Sequence, residues 1–266
     1  MRAKGYLSAG RFGTIVAVSL LVWLAGGAAC LFWGQEKIPP ARVLSILTGA
    51  GASTQELNIV LTLRLPRVML GLLAGGAFAV TGCIFQALLR NPLATPHTLG
   101  VSAGGALGAA FAISLEVSGP RIGPLGSVQF FALLGALVNV GIIYLLARRK
   151  ETFSPLKLLL AGVTLGLIAS AMIMFIRFVS DPHKLVRVDR WLMGGLDVQG
   201  FRSLASILPL FVPALVVLFM QANAMNQLSL GEEMAAGRGV DVGAVQAEAF
   251  LAGSVLTAVI VSVAGP

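Results

Sequence analysis

The chain has 266 residues, of which 57% are hydrophobic and 11% are charged, and its mean hydropathy is +0.90. Soluble domains carry about 25% charged residues, so this composition excludes a soluble globular protein and predicts an integral membrane protein. The formal net charge is +8. On a membrane protein such an excess reflects basic side chains that face lipid head groups and partner proteins, so nucleic acid is not an expected partner.

Uncharged apolar runs predict seven transmembrane helices, because about 20 apolar residues are needed to cross the hydrocarbon core. The first is predicted over 12–35 and follows Arg2, Lys4 and Arg11, which we expect in the cytoplasm. A cleaved signal peptide is the competing interpretation, but its apolar region would be only about 7–15 residues long. The other six helices are predicted over 68–89, 96–116, 122–147, 155–177, 204–221 and 247–266.

Polar segments separate these runs. The stretch ARVLSILTG, after Pro39 and Pro40, has apolar residues at helical spacing but is too short to span, which predicts an interfacial helix. The charged segment 180–202 cannot lie in hydrocarbon, and it predicts an external loop with a short helix over Trp191 and Met193. The predicted fold is therefore an all-α polytopic membrane protein with a single transmembrane domain over 1–266.

Prolines mark both ends of the second predicted span. Pro66 lies where a helix can begin without losing a hydrogen-bonded N–H, and Pro92 and Pro96 stop the helix at its far end. We therefore expect the span to begin near Pro66 and a tight, non-helical reversal over 91–96.

Three glycines follow this reversal at every fourth position, which places them on one face of a helix. Small residues on such a face allow the backbone of a neighbouring helix to approach closely. We therefore expect a helix-packing surface at Gly100, Gly104 and Gly108.

Seven stretches, in order along the chain, carry a resemblance to a known family. They are RLPR (64–67), FQALLRNPLATP (85–96), LGVSAGGALGA (99–109), LLLAGVTLG (158–166), WLMGGL (191–196), LGEEMAAGRGV (230–240) and VAGP (263–266). Together they resemble the binding-protein-dependent permeases for iron chelates and cobalamin, the FecCD-type family of ABC importers. The resemblance implies a fold of about ten transmembrane helices, of which the last three would follow VAGP and are absent from this chain.

The resemblance also implies a function and partners. The chain would be the permease subunit of an importer for an iron siderophore, haem or cobalamin, in the bacterial inner membrane. Its partners would be a second permease copy in a homo- or heterodimer, two ATPase subunits and a periplasmic substrate-binding protein. The sequence contains no GxxxxGK[ST] phosphate loop, so we expect no enzyme activity and no cofactor on this chain, with ATP bound by the ATPase subunits. With only His97 and His183, it offers no histidine cluster for a metal.

On the outer side, the resemblance implies that Arg64 and Arg67 bind acidic residues of the substrate-binding protein. A planar guanidinium can hold a carboxylate through two hydrogen bonds, which suits this role. By position alone, arginines just outside a helix most often anchor lipid head groups, and that alternative stays open.

On the cytoplasmic side, the resemblance implies a coupling segment and a gate. The coupling segment is a short helix that inserts into a cleft of the ATPase subunit, and a solvated loop is the alternative interpretation. Its matching residues are Gly231, Glu232, Ala235 and Gly239. The residues at the position of the cytoplasmic gate are Ser154, Pro155 and Leu156, which would make this gate more apolar and able to close by dewetting.

Two other functions stay open at this point. An ion-coupled secondary transporter generally keeps ionisable groups inside the membrane. The middles of the seven predicted spans contain no acidic or basic side chain, since every such residue lies within three residues of an end. A truncated remnant that does not transport is the second alternative, because the resemblance lacks the last helices of the family.

Overall fold

The computed structural model describes residues 8–49, 53–117, 125–149 and 152–266. Arg2 and Lys4, and the first residues of the span predicted over 122–147, lie outside this part of the chain. The described residues form an all-α protein, as predicted, with one antiparallel pair of two-residue strands.

The elements follow one another along the chain without a larger sheet among the described residues. They are α1 (Ala9–Phe32), α2 (Pro40–Leu47), α3 (Thr54–Leu57), a π-helical segment (Asn58–Arg64), α4 (Leu65–Leu89), α5 (Val101–Ser114), α6 (Ser127–Ala147), β1 (Arg148–Arg149), β2 (Thr152–Phe153), α7 (Pro155–Val179), α8 (Pro182–Leu192), α9 (Arg202–Met220), α10 (Ala222–Leu230), α11 (Glu232–Gly237) and α12 (Val242–Ala264).

Within the described ranges, six helical stretches are long and apolar enough to cross a membrane. They coincide with six of the seven predicted spans, and the third predicted span corresponds to the shorter apolar helix α5. With 14 residues, α5 is about 21 Å long, less than the roughly 30 Å of the hydrocarbon core. Helix α5 alone is therefore too short to cross the hydrocarbon core.

The chain divides into two compact units. Unit 1 comprises residues 1–73 and 198–201, and unit 2 comprises residues 74–197 and 202–266. The single domain over 1–266 stays a prediction. In unit 1, apolar side chains from the end of α1, from α2 and from the π-helical segment form one buried cluster: Leu31, Ile38, Val43, Ile46 and Val60.

The predicted start of the second span at Pro66 is wrong, because the helix runs without a break from Thr54 through the π-helical segment into α4. Proline has no N–H to offer the carbonyl four residues earlier, which here belongs to Thr62. That carbonyl accepts the N–H of Gly200 at 2.8 Å instead. The wider π-helical turn and this substitute donor explain how a proline lies inside a helix.

The reversal after α4 is non-helical, as predicted, but it extends further than expected. Thr95 and Thr98 each accept the other's backbone N–H through their hydroxyls, at 3.1 and 3.2 Å, which holds the chain in a turn. Gly100 then takes a positive φ of 72° directly before α5 begins at Val101. The predicted start at residue 96 is therefore about five residues early, because local threonine bonds compete with the helix.

Unit 2 is built on close contact between α5 and α6. A Cβ added to Gly104 would lie 2.7 Å from the carbonyl oxygen of Gly135, and one added to Gly108 would overlap the carbonyl oxygen of Phe131. Real Cβ atoms do not approach backbone so closely, so these two positions admit no side chain without a shift of α6. The predicted packing face is therefore where α6 lies against α5.

A junction between three helices forms where α5 begins. A Cβ on Gly100 would lie 2.6 Å from the carbonyl oxygen of Gly162 on α7. The side-chain amide of Asn139, which is buried on α6, donates to the carbonyl of Gly100 at 2.5 Å. The same carbonyl also accepts the N–H of Gly104 at 3.2 Å, so Asn139 adds a second donor that ties α6 to the start of α5.

The segment between the sixth and seventh predicted spans is mostly helical. It contains α10 and α11, and α12 begins at Val242, about five residues before the predicted start. The reason is a local cap, since the carboxylate of Asp241 accepts the N–H of Ala244 at 3.0 Å. In the last predicted helix, α12, most residues from Val245 to Val263 are buried, and Phe250 packs on Phe85 of α4 at a ring-centroid distance of 6.2 Å.

We predict that Gly108→Ala lowers the thermal unfolding midpoint of the detergent-purified protein, because the added methyl group collides with the backbone of α6. Overpacking of this kind costs about 1–3 kcal/mol. Gly141→Ala is the matched control, since the corresponding position on α6 is open, and alanine favours helix over glycine by about 1 kcal/mol. Equal midpoints for Gly108→Ala and the unchanged protein would contradict the contact.

Candidate functional site

Arg64 is an internal anchor of unit 1 rather than an exposed side chain. Only 9% of it is exposed, and its guanidinium donates to the carbonyl of Leu31 at 3.0 Å and also to the carbonyl of Glu36. Gly34 leaves the room for it, since a Cβ there would lie 2.6 Å from the guanidinium. These bonds supply donors to carbonyls at and beyond the end of α1. The last carbonyls of a helix have no N–H donor within the helix.

Arg67 differs from Arg64, although the two are only three residues apart. It lies in the first turn of α4 and is exposed in the described structure. Of the two predicted docking residues, Arg67 is therefore the exposed one.

The predicted coupling segment forms a compact helical turn in unit 2. Helix α11 has six residues and is bounded by Gly231 at φ 138° and Gly239 at φ 84°, conformations that favour glycine. Ala235 is fully buried and anchors the helix, whereas half of the Met234 side chain is exposed. The N–H of Val240 bonds the carbonyl of Ala235 at 3.1 Å and closes the turn. The segment therefore contains a short helix, and its role in coupling stays a prediction.

Glu232, in the first turn of α11, holds two other elements. Its Oε1 atom lies 3.2 Å from the guanidinium of Arg90, the residue that follows α4, and it accepts the amide N–H of Gln246 on α12, also at 3.2 Å. Gln246 is 1% exposed, whereas the side chains of Arg90 and Glu232 are 42% and 45% exposed. One carboxylate oxygen therefore joins α11 to the ends of two long helices.

The three predicted gate residues lie at the beginning of α7, after the β1–β2 pair. Ser154 is the residue before the helix, and Pro155 is its first residue. Leu156 is 66% exposed. In unit 2 the chain passes back and forth, so the start of α7 lies at the same end as the reversal after α4 and as α11.

The opposite end of unit 2 carries the charged segment after α7. The short helix predicted over Trp191 and Met193 begins earlier than expected, at Pro182, and ends at Leu192. Its charges are satisfied locally: Arg177 pairs with Asp189 at 3.1 Å, and Lys184 donates to the carbonyl of Ser114 at 3.1 Å. Helix α8 therefore covers the end of α5.

Three side chains that make contacts between helices are not identified as site residues by any motif in the sequence. They are Arg90, Gln246 and Asn139. Asn139 is the only side-chain amide of α6 from Phe130 to Ala147, among mostly apolar neighbours, and this is the signal that could have marked it.

Comparison with known proteins supports one family over nearly the whole chain. A sequence model described as the FecCD transport family matches residues 20–266. The iron(3+)-hydroxamate import system permease protein FhuG of Bacillus subtilis (strain 168) is 31% identical over 254 residues, which cover 94% of this chain and 75% of that protein. The hemin transport system permease protein HmuU of Yersinia pestis is 34% identical, over 92% of this chain and 72% of that protein.

A solved structure supports the fold. It is described as an inward-facing conformation of a metal-chelate type ABC transporter, and it aligns with a TM-score of 0.78 and 25% sequence identity. The alignment covers 96% of this chain and 76% of that one. The chain thus spans about three quarters of the length of these relatives.

We predict that Arg64→Ala lowers the thermal unfolding midpoint, because it leaves the carbonyl of Leu31 without its donor and removes one of the two donors to the carbonyl of Glu36. A buried polar group that loses its partner costs about 1–3 kcal/mol. Arg67→Ala is the matched comparison and should lower the midpoint less, since that side chain is exposed. A larger loss for Arg67→Ala than for Arg64→Ala in detergent-purified protein would contradict the anchoring role.

Proposed function

Because the chain belongs to the FecCD transport family, we propose that it is the permease subunit of an ATP-driven importer for an iron chelate or a related large chelate. The observation that carries this proposal is the family match over residues 20–266, together with curated relatives named for hydroxamate, haem and enterobactin import. The chain is a multi-pass protein of the inner membrane, with six span-length helices among its described residues.

In this function the helices form the passage and the energy comes from another chain. The sequence has no phosphate loop, so ATP is bound and hydrolysed by two separate ATPase subunits. A second permease copy completes the passage, and a periplasmic binding protein delivers the chelate. The first residues of α7, Ser154 to Leu156, form the cytoplasmic gate, where the exposed Leu156 would keep water out of the closed passage.

The coupling segment receives the movement of the ATPase. Support comes from the structure of α11, a short helix fixed at both ends by glycines in positive φ and anchored by the buried Ala235. An exposed apolar side chain, Met234, projects from the same helix and suits a cleft on a partner subunit.

The test is reconstitution of the complex. A tagged chain purified from its native membranes should bring with it an ATPase subunit that contains a phosphate loop. Proteoliposomes of this complex, given the binding protein, should take up one of three radiolabelled probes, a ferric hydroxamate, hemin or cobalamin, when ATP is supplied on the cytoplasmic side. Uptake driven by a proton or sodium gradient without ATP would contradict the proposal, as would a chain that has neither an ATPase partner nor uptake.

We predict that Arg67→Gln lowers the affinity of the permease for its binding protein by about tenfold at low salt, because an accessible guanidinium loses its acidic partner. The loss should shrink as salt screens the interaction. The matched control is Arg11→Gln, an exposed arginine before the first apolar run, which we expect on the cytoplasmic side. Surface plasmon resonance on the permease in nanodiscs measures both, and equal affinities for the two variants would exclude docking through Arg67.

A further inference from the structure

The contact that joins α4, α11 and α12 is unusual in its geometry. Both Arg90 and Gln246 donate to the same oxygen of Glu232, at 3.2 Å each. Gln246 forms a buried floor to this contact, while the ion pair itself is open to water on one side. We call these three residues the Glu232 cluster.

Arg90 has a backbone conformation that is unfavourable for a residue with a side chain. Arg90 has a φ of 48°, and the N–H of Asn91 bonds the carbonyl of Gln86 at 3.2 Å, which is the usual closure of a helix end. Glycine takes this left-handed conformation without strain, whereas an L side chain does not. An arginine here costs stability, and what it supplies in return is a cation directed at Glu232.

The ion pair contributes little to the stability of the fold. Its partners are both more than one third exposed, and exposed ion pairs are screened by water and salt. What the Glu232 cluster does fix is the position of α11, since a six-residue helix has little stability of its own.

From these observations we infer that Glu232 is a positioning residue that ties α11 to the ends of α4 and α12, so that displacement of α11 moves those two helices. The inference rests on the proposed function, in which the ATPase displaces α11. It assigns the carboxylate of Glu232 to contacts inside this chain and leaves the docking of the ATPase to other parts of α11, such as the exposed Met234.

The test measures molecules imported per ATP hydrolysed by the reconstituted complex. Glu232→Gln and Arg90→Gln should each lower this ratio about fivefold or more, the lower end of typical coupling between sites. The charge exchange Arg90→Glu with Glu232→Arg should restore the ratio to within about twofold, because it re-forms the pair in reverse. Glu248→Gln, which removes a carboxylate of α12 that bonds Gln221 and not α11, should leave the ratio within about twofold of the unchanged complex.

Arg90→Gly separates a mechanical role from a merely structural one. Glycine relieves the strained backbone, so the thermal midpoint of the complex should stay equal or rise while the ratio falls about fivefold. A ratio that stays unchanged in Glu232→Gln, or a charge exchange no better than the worse single variant, overturns the inference. Such results still leave ATP-driven import by the unchanged complex intact, whereas the absence of that import contradicts the proposed function itself.

Discussion

Close approach of helix backbones at glycine is the constraint on which the packing of unit 2 depends. Gly104 and Gly108 on α5 meet Gly135 and the carbonyl of Phe131 on α6, and no side chain fits between them. Inside a bilayer the hydrophobic effect does not drive helices together, so the gain comes from van der Waals contact at short range. One methyl group at these positions therefore changes the geometry of the whole α5–α6 pair.

A second constraint is that every backbone carbonyl inside the membrane needs a donor. Where the regular helix pattern fails, a specific partner is present in the structure. The N–H of Gly200 reaches the carbonyl of Thr62 that Pro66 leaves free. Arg64 does the same for Leu31 and Glu36. A carbonyl that lacks its regular helix donor is thus found with a donor from elsewhere in the chain.

The sequence predicted what depends on local composition and missed what depends on distant partners. The apolar runs were predicted as helices because each satisfies its backbone and faces hydrocarbon independently of the others. The anchoring role of Arg64 depends on carbonyls about thirty residues away, which no local pattern reveals. The start of α4 was misplaced for the same reason, since Pro66 is tolerated in a helix through a donor at Gly200. At the coupling segment, the resemblance identified Glu232 but gave no indication of Arg90 or Gln246 as its partners.

The residues that follow α4 and α5 share one backbone conformation and one kind of contact. Arg90 after α4 and Glu116 after α5 both have a φ of 48°, and each lies close to an opposite charge on a later segment. Arg90 is favourable at a helix carboxyl end, where the dipole is negative, whereas Glu116 is not. Lys184 offsets this, at 3.8 Å from Glu116 and with a hydrogen bond to the carbonyl of Ser114. The end of α4 is therefore tied to α11, and the end of α5 is tied to α8.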